Sequence, residues 1–293
     1  MLLLKFAPAF FFSLVAYLFT TFEIPRSQAP LDQNIPVCGI AAIDEFTAFT
    51  QDPGFRNSHE LPRAFLFDQP LGKMMTYPTP DDKEANAYFV KAKGNSDRYL
   101  LVIHEWWGLN GHIKEEADKL FKDLEEEVNI LALDMYDGNV ATTREEAGKY
   151  MQNVSSERAI NIIEGAQTFA GNKAKIATIG WCFGGAWSLQ ASLRLEKQAV
   201  GCVMYYGMPE KDVEQLKKLQ TEVLGIFAAQ EQWITPEVVA EFEQNMKRAG
   251  KKLTVKSYQA DHAFANPSSP RYHEQAAQDA YKHTLAFLKK KLL

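Results

Sequence analysis

Apolar and polar positions change rhythm near residue 73. Beyond it, short apolar runs alternate with stretches whose apolar residues recur every three or four positions. The runs Ala85–Val90, Tyr99–Glu105, Asn129–Met135, Lys175–Trp181, Ala199–Tyr206, Val223–Gln230 and Leu253–Tyr258 predict strands. Several are apolar throughout, as expected for parallel strands covered on both faces. Between them, Ile113, Ala117, Leu120, Phe121 and Leu124 fall on one face of a helix. Thr142 or Thr143 with Glu145 or Glu146 forms a capping box for the next helix. Pro236 opens another at its first turn, and residues 271–291 make the last, with Lys289, Lys290 and Lys291 against its negative end. The alternation predicts an α/β fold: a doubly wound, mostly parallel sheet with helices on both faces, in a single domain over residues 73–293. Ligands of such sheets bind outside the carboxyl ends of the strands.

The part before residue 73 reads differently. Eight of the thirteen prolines lie between Pro25 and Pro80. Periodic apolar patterns are scarce there, so residues 23–72 are expected to be a Pro-rich extension or tether. Residues 1–22 hold an apolar stretch from Phe6 to Phe22 behind Lys5. Its length suits a signal-peptide core or a short membrane anchor. The expectation is an exported protein, periplasmic or secreted, with membrane association if the segment is retained.

Composition narrows the function classes. The formal net charge is −5, and no Lys/Arg cluster is present beyond the helix-ending Lys289–Lys291. That excludes a basic nucleic-acid-binding surface. The three cysteines, Cys38, Cys182 and Cys202, are too few for a disulfide framework, and Cys202 sits in an apolar run as a small core residue. No His/Cys group has zinc-ligand spacing, so no metal is expected. Oligomeric state is not encoded in any of these features.

Candidate chemistry centres on Gly180-Trp181-Cys182-Phe183-Gly184. The spacing is that of a nucleophile elbow with Cys in place of Ser. Such an elbow holds its nucleophile in a strained turn between strand and helix, and the flanking glycines let the two elements cross closely. The helix N-terminus favours negative charge on the sulfur, and the N–H of Phe183 would face a developing oxyanion. Of the six histidines, His262 alone follows the last strand, where a general base belongs. His59 precedes the domain, and His104, His112, His273 and His283 fall in a strand or on helices. Glu231 ends the preceding strand and would orient His262, with Glu237 or Asp261 as nearby alternatives. His104-Glu105-Trp106-Trp107-Gly108 ends another strand, and its Trp106 N–H would be the second oxyanion donor. Glu105 would restrain the Cys182 thiol or act on it as a like charge. Trp107, Trp233 and Phe264 are candidates for an apolar substrate pocket.

Five segments together resemble the dienelactone hydrolases (carboxymethylenebutenolidases): His104–Gly108, Asp134-Met135-Tyr136, Gly180–Gly185, Tyr205-Tyr206-Gly207 and Asp261–Pro267. The resemblance spans roughly residues 73–293. It implies a cofactor-free hydrolase of esters or lactones with Cys182 as nucleophile, His262 as base, Glu231 in the acid position and Glu105 as the acid that contacts the resting thiol. The acid position is usually Asp in the family. Asn266 stands where dienelactone-specific members carry a carboxylate-gripping arginine, and Ala263 replaces a neighbouring Ser. The implied substrate is therefore a small ester or lactone, neutral or differently shaped from the dienelactone. Alternative readings are a thioesterase or peptidase of the same fold, or an exported binding protein that keeps the fold without turnover.

Overall fold

The computed structural model describes residues 40–63 and 67–293. The expected export segment, the first part of the Pro-rich extension and Cys38 lie outside the described residues.

The extension itself is corrected by the structure. Helix α1 (Ala41–Ala48) runs through a 3-10 turn into α2 (Pro53–Ser58). Ile43, Phe46 and Phe55 are buried in the same core as the sheet. Spaced three apart, Ile43 and Phe46 give α1 an apolar face. Pro53 is not a breaker: it occupies the first turn of α2, and Asp52 caps the helix by accepting from the Gly54 N–H at 2.7 Å.

Strands β1 (Lys73–Pro78), β2 (Glu84–Val90) and β3 (Arg98–Ile103) follow. Then come α3 (Gly111–Asp123), β4 (Asn129–Leu133), α4 (Arg144–Asn153), α5 (Ser156–Ala170), β5 (Lys175–Trp181), α6 (Phe183–Arg194), β6 (Ala199–Tyr205), α7 (Val213–Lys217), β7 (Val223–Ala228), α8 (Pro236–Arg248), β8 (Leu253–Tyr258) and α9 (Glu274–Leu292). The strands form one sheet in the order β1-β2-β4-β3-β5-β6-β7-β8. β1 pairs antiparallel with β2, as does β2 with β4, and every other pairing is parallel. β4 and β7 are buried along their whole length. Thr143 and Glu146 make the expected capping box on α4.

Two adjacent residues of β6 show that helices cover both faces. A Cβ on Gly201 would stand 3.1 Å from Phe287 and Lys291 of α9, whereas Cys202 Sγ lies 3.6 Å from Ser188 Oγ of α6. Successive strand residues point to opposite faces, so α6 and α9 sandwich the sheet. Because β3, β5, β6, β7 and β8 run parallel and adjacent, the segments leaving β3, β5, β7 and β8 emerge along one edge.

Candidate active site

Cys182 is the first residue past β5 and the N-cap of α6. Its backbone is left-handed, with φ 54° and ψ −119°. A side chain there is strained, and the surroundings hold it in place: the Cys182 N–H donates to Tyr205 O at 3.0 Å, and its carbonyl accepts from Gly185 and Ala186. A Cβ on Gly180 would collide with the Gly184 carbonyl, and one on Gly184 with that of Ile103. Both glycines are therefore required by the crossing of β5, α6 and β3. Phe183 opens α6, where a backbone N–H has no helical acceptor.

Three residues beyond β7, Glu231 accepts a hydrogen bond from Nδ1 of His262, which lies on the loop after β8. Both side chains are buried, 1% and 4% exposed. Burial alone would depress His262, but the negative charges of Glu231 and Cys182 outweigh it and raise the imidazole well above its usual value. Nε2 of His262 is buried without a hydrogen-bond partner of good geometry among the described residues, and a ring nitrogen of His262 lies within 4.8 Å of Cys182 Sγ. A thiol, an imidazole and a carboxylate are thus brought together.

One residue against the thiol was not anticipated. His59, at the end of α2, places Nε2 3.7 Å from Cys182 Sγ. Its Nδ1 donates to Phe55 O at 2.8 Å, which leaves Nε2 as a lone pair facing the sulfur. The ring stacks on Trp106 at 4.7 Å between centroids and meets the edge of His262 at 5.2 Å. Burial, together with the nearby charge of His262, pushes His59 down to about 3. Arg144 Nε anchors the segment by donating to His59 O at 2.8 Å. His59, Cys182 and His262 form a cluster whose ligating atoms all lie within 4.8 Å of one another. Local sequence spacing could not reveal it, because 123 residues separate His59 from Cys182.

Glu105 is buried beside the site, and burial raises its carboxyl to about 7. It accepts from the Asn266 amide. The thiol's hydrogen-bond partner is His59, and no Glu105–Cys182 hydrogen bond forms among the described residues. Asn266, at the family's arginine position, therefore serves to satisfy an otherwise isolated buried acid. The pocket candidates divide. Trp233 lines a cavity of about 200 Å³, together with Gly54, Ser58, Glu231, His262 and Arg271. It meets Phe55 at right angles, and its Nε1 donates to Asp52 at 3.2 Å. Trp107 and Phe264 are core residues and line neither that cavity nor a smaller one beside Glu105 and Asn266. Tyr206, within the Tyr205-Tyr206-Gly207 segment, packs 4.9 Å from His262, and its buried hydroxyl has no protein partner.

A parallel-rich sheet with a strained Cys at the β5–α6 turn and a His after the last strand defines an α/β-hydrolase. Comparisons with known proteins sharpen this. The dienelactone hydrolase family model matches residues 85–292, and the chain belongs to that family. It is 27% identical over 206 residues to Protein usf of Aquifex pyrophilus, covering 66% of this chain and 88% of that one. To carboxymethylenebutenolidase 1 of Cupriavidus pinatubonensis it is 25% identical over 217 residues, covering 69% and 90%. Among solved structures, a dienelactone hydrolase-like promiscuous phosphotriesterase from metagenomic libraries superposes with a TM-score of 0.61 at 21% identity, covering 76% of this chain and 99% of that one. The protein is accordingly a dienelactone hydrolase-like hydrolase.

Proposed function

We propose that the protein hydrolyses small carboxylic esters or lactones by acyl transfer through Cys182, His262 and Glu231. The observation that carries this reading is the buried His262–Glu231 pair beside a cysteine held at positive φ on a helix N-terminus. In the first step His262 Nε2 takes the thiol proton, and Sγ bonds to the carbonyl carbon. The oxyanion rests on the N–H groups of Phe183 and Trp106, each worth about 3 kcal/mol. Collapse of the tetrahedral species breaks the ester C–O bond, and His262 returns the proton to the departing oxygen. Water deprotonated by His262 then attacks the thioester, releasing the acid and restoring the thiol. Glu231 fixes the His262 tautomer and stabilises its cation. No cofactor enters any step. A neutral acyl group suits the Asn266 position better than a carboxylate, because Asn266 is neutral and already engaged by Glu105.

The test is a panel of neutral and anionic activated esters and lactones, with intact mass read after brief exposure. An acyl adduct on Cys182 and loss of turnover in Cys182→Ala are expected, and turnover surviving that substitution overturns the assignment. One observation favours a second reading, a binding protein without turnover: Cys182 is 1% exposed and covered by His59. Under that reading iodoacetamide would not label Cys182 in preference to Cys202. As a further part of this proposal, residues 1–22 direct export or anchor the chain to a membrane. Fractionating cells that express the full chain and sequencing its mature N-terminus tests this.

A further inference from the structure

We propose that His59, Cys182 and His262 form a binding site for a thiophilic divalent ion such as Zn²⁺, and that its occupancy switches the hydrolase off. The three ligating atoms are mutually within 4.8 Å, and the His59 Nε2–Cys182 Sγ separation is 3.7 Å. Zinc bonds of about 2.0–2.3 Å in tetrahedral geometry place neighbouring ligands roughly 3.3–3.6 Å apart. The His59–Cys182 pair already stands near that spacing, so His262 need approach by only about 1 Å, within reach of its side-chain torsions.

The surroundings are those of a metal site. Ligating histidines characteristically donate their second ring N–H to a backbone carbonyl or a carboxylate, which aims the other nitrogen at the ion. His59 donates from Nδ1 to Phe55 O, and His262 from Nδ1 to Glu231. Both Nε2 atoms are thereby free to coordinate. That of His262 is buried without a hydrogen-bond partner of good geometry among the described residues, in a residue only 3% exposed, which is a cost an ion would remove. One thiolate and two imidazoles suit zinc or copper and not magnesium or calcium. With Glu231 in the outer shell, one thiolate and one carboxylate balance the 2+ charge. Three protein ligands leave a fourth position for water, and His262 also lines the cavity of about 200 Å³.

Binding replaces the thiol proton: Cys182 S–H and M²⁺ give a Cys182 S–M bond and a released proton. The lone pairs used are those of the nucleophile and the base, so the inhibitory consequence rests on the acyl-transfer reading, while the binding does not.

The experiment is a Co²⁺ titration of the chelator-stripped full chain, followed by Zn²⁺ competition. One equivalent of cobalt should produce a thiolate-to-cobalt charge-transfer absorption that Zn²⁺ abolishes. His59→Ala and His59→Gln should each weaken binding at least about 100-fold, beyond the roughly 10- to 100-fold cost of disturbing an outer-shell partner. The Gln variant keeps much of the side-chain volume should the Ala variant fail to fold. Absence of the absorption in the native chain, or undiminished absorption in a folded His59 variant, overturns the site. Ester turnover measured in chelator is read separately. Turnover without a cobalt band leaves the hydrolase reading intact and refutes the metal site, whereas a cobalt band without turnover does the reverse.

Discussion

Replacing Glu231 by Gln removes one charge and leaves the shape. Glu231 and His262 are both buried, so water screens their attraction poorly. Unit charges about 4 Å apart at an effective dielectric near 20 attract by about 4 kcal/mol, and breaking a buried pair by removing one partner typically costs 3–5 kcal/mol. At 1.36 kcal/mol per tenfold, the imidazolium that forms when His262 accepts the thiol proton loses about three powers of ten. Glu231→Gln should therefore lower kcat/KM on an activated ester about 1000-fold, with a smaller change in KM. Glu231→Asp, which keeps the charge on a shorter arm, should recover most of the loss. The same pair acts on stability. His262 titrates higher folded than unfolded, so the folded state binds the extra proton. Its stabilisation is fully present below the unfolded value near 6.5 and is lost as pH rises through the raised folded value. Urea midpoints of the Gln variant should consequently fall further below wild type at pH 6 than at pH 9 or above. A loss of activity under tenfold, or a stability deficit that does not change with pH, would refute the coupling of Glu231 to His262.

Two further perturbations probe the surroundings. Glu105 reaches about 7 when folded from an ordinary value of 4.5, so between those pH values the unfolded chain gives up a proton that the folded chain keeps, and stability falls as pH rises. Glu105→Gln should match wild type near pH 4 and exceed it by about 3 kcal/mol at pH 8, read from urea midpoints; an equal difference at both pH values contradicts this. Phe55 packs against Phe46, His59, Trp106 and Trp233, and Phe→Ala in a core costs about 3–5 kcal/mol. Phe55→Ala should loosen α1 and α2 selectively, raising amide exchange over residues 41–58 while β3 and β5 stay protected; uniform exchange along the chain would show that the segment is not a separate docking unit.

Strand cores were legible wherever burial imposed a pattern. Lys175–Trp181 and Leu253–Tyr258 are strands over their whole predicted length. Elsewhere the apolar signal outran the strand: His104, Glu105, Asp134 and Met135 are buried, yet they lie beyond the strand ends. β1 escaped notice because it is an edge strand with Tyr77 as its one buried residue, so its composition carries little alternation. α1 and α2 escaped because two short helices flanked by prolines resemble a linker when periodicity is the criterion. The retrievable signals were Asp52-Pro53, an N-cap before a first-turn proline, and the Ile43–Phe46 spacing.

The site divided along the same line. Cys182 is fixed by its glycines, and His262 by its place after the last strand, so both could be found from local order. His59 reaches the thiol through aromatic packing of Phe55 on Trp106, and packing between distant segments leaves no period in the chain. The two imidazoles cannot share one role. His262 faces a carboxylate that stabilises its cation, whereas His59 faces a backbone carbonyl and is driven neutral by burial. In the proposed mechanism the base is therefore His262. The His59 lone pair is well matched to a thiol proton and poorly matched to a bare thiolate, with which it shares no hydrogen. Either a substrate carbonyl takes the charge from the thiolate, or a metal ion satisfies the sulfur and both nitrogens together. The contact that sets His59 against Cys182 is thus also the one on which the proposed metal site rests.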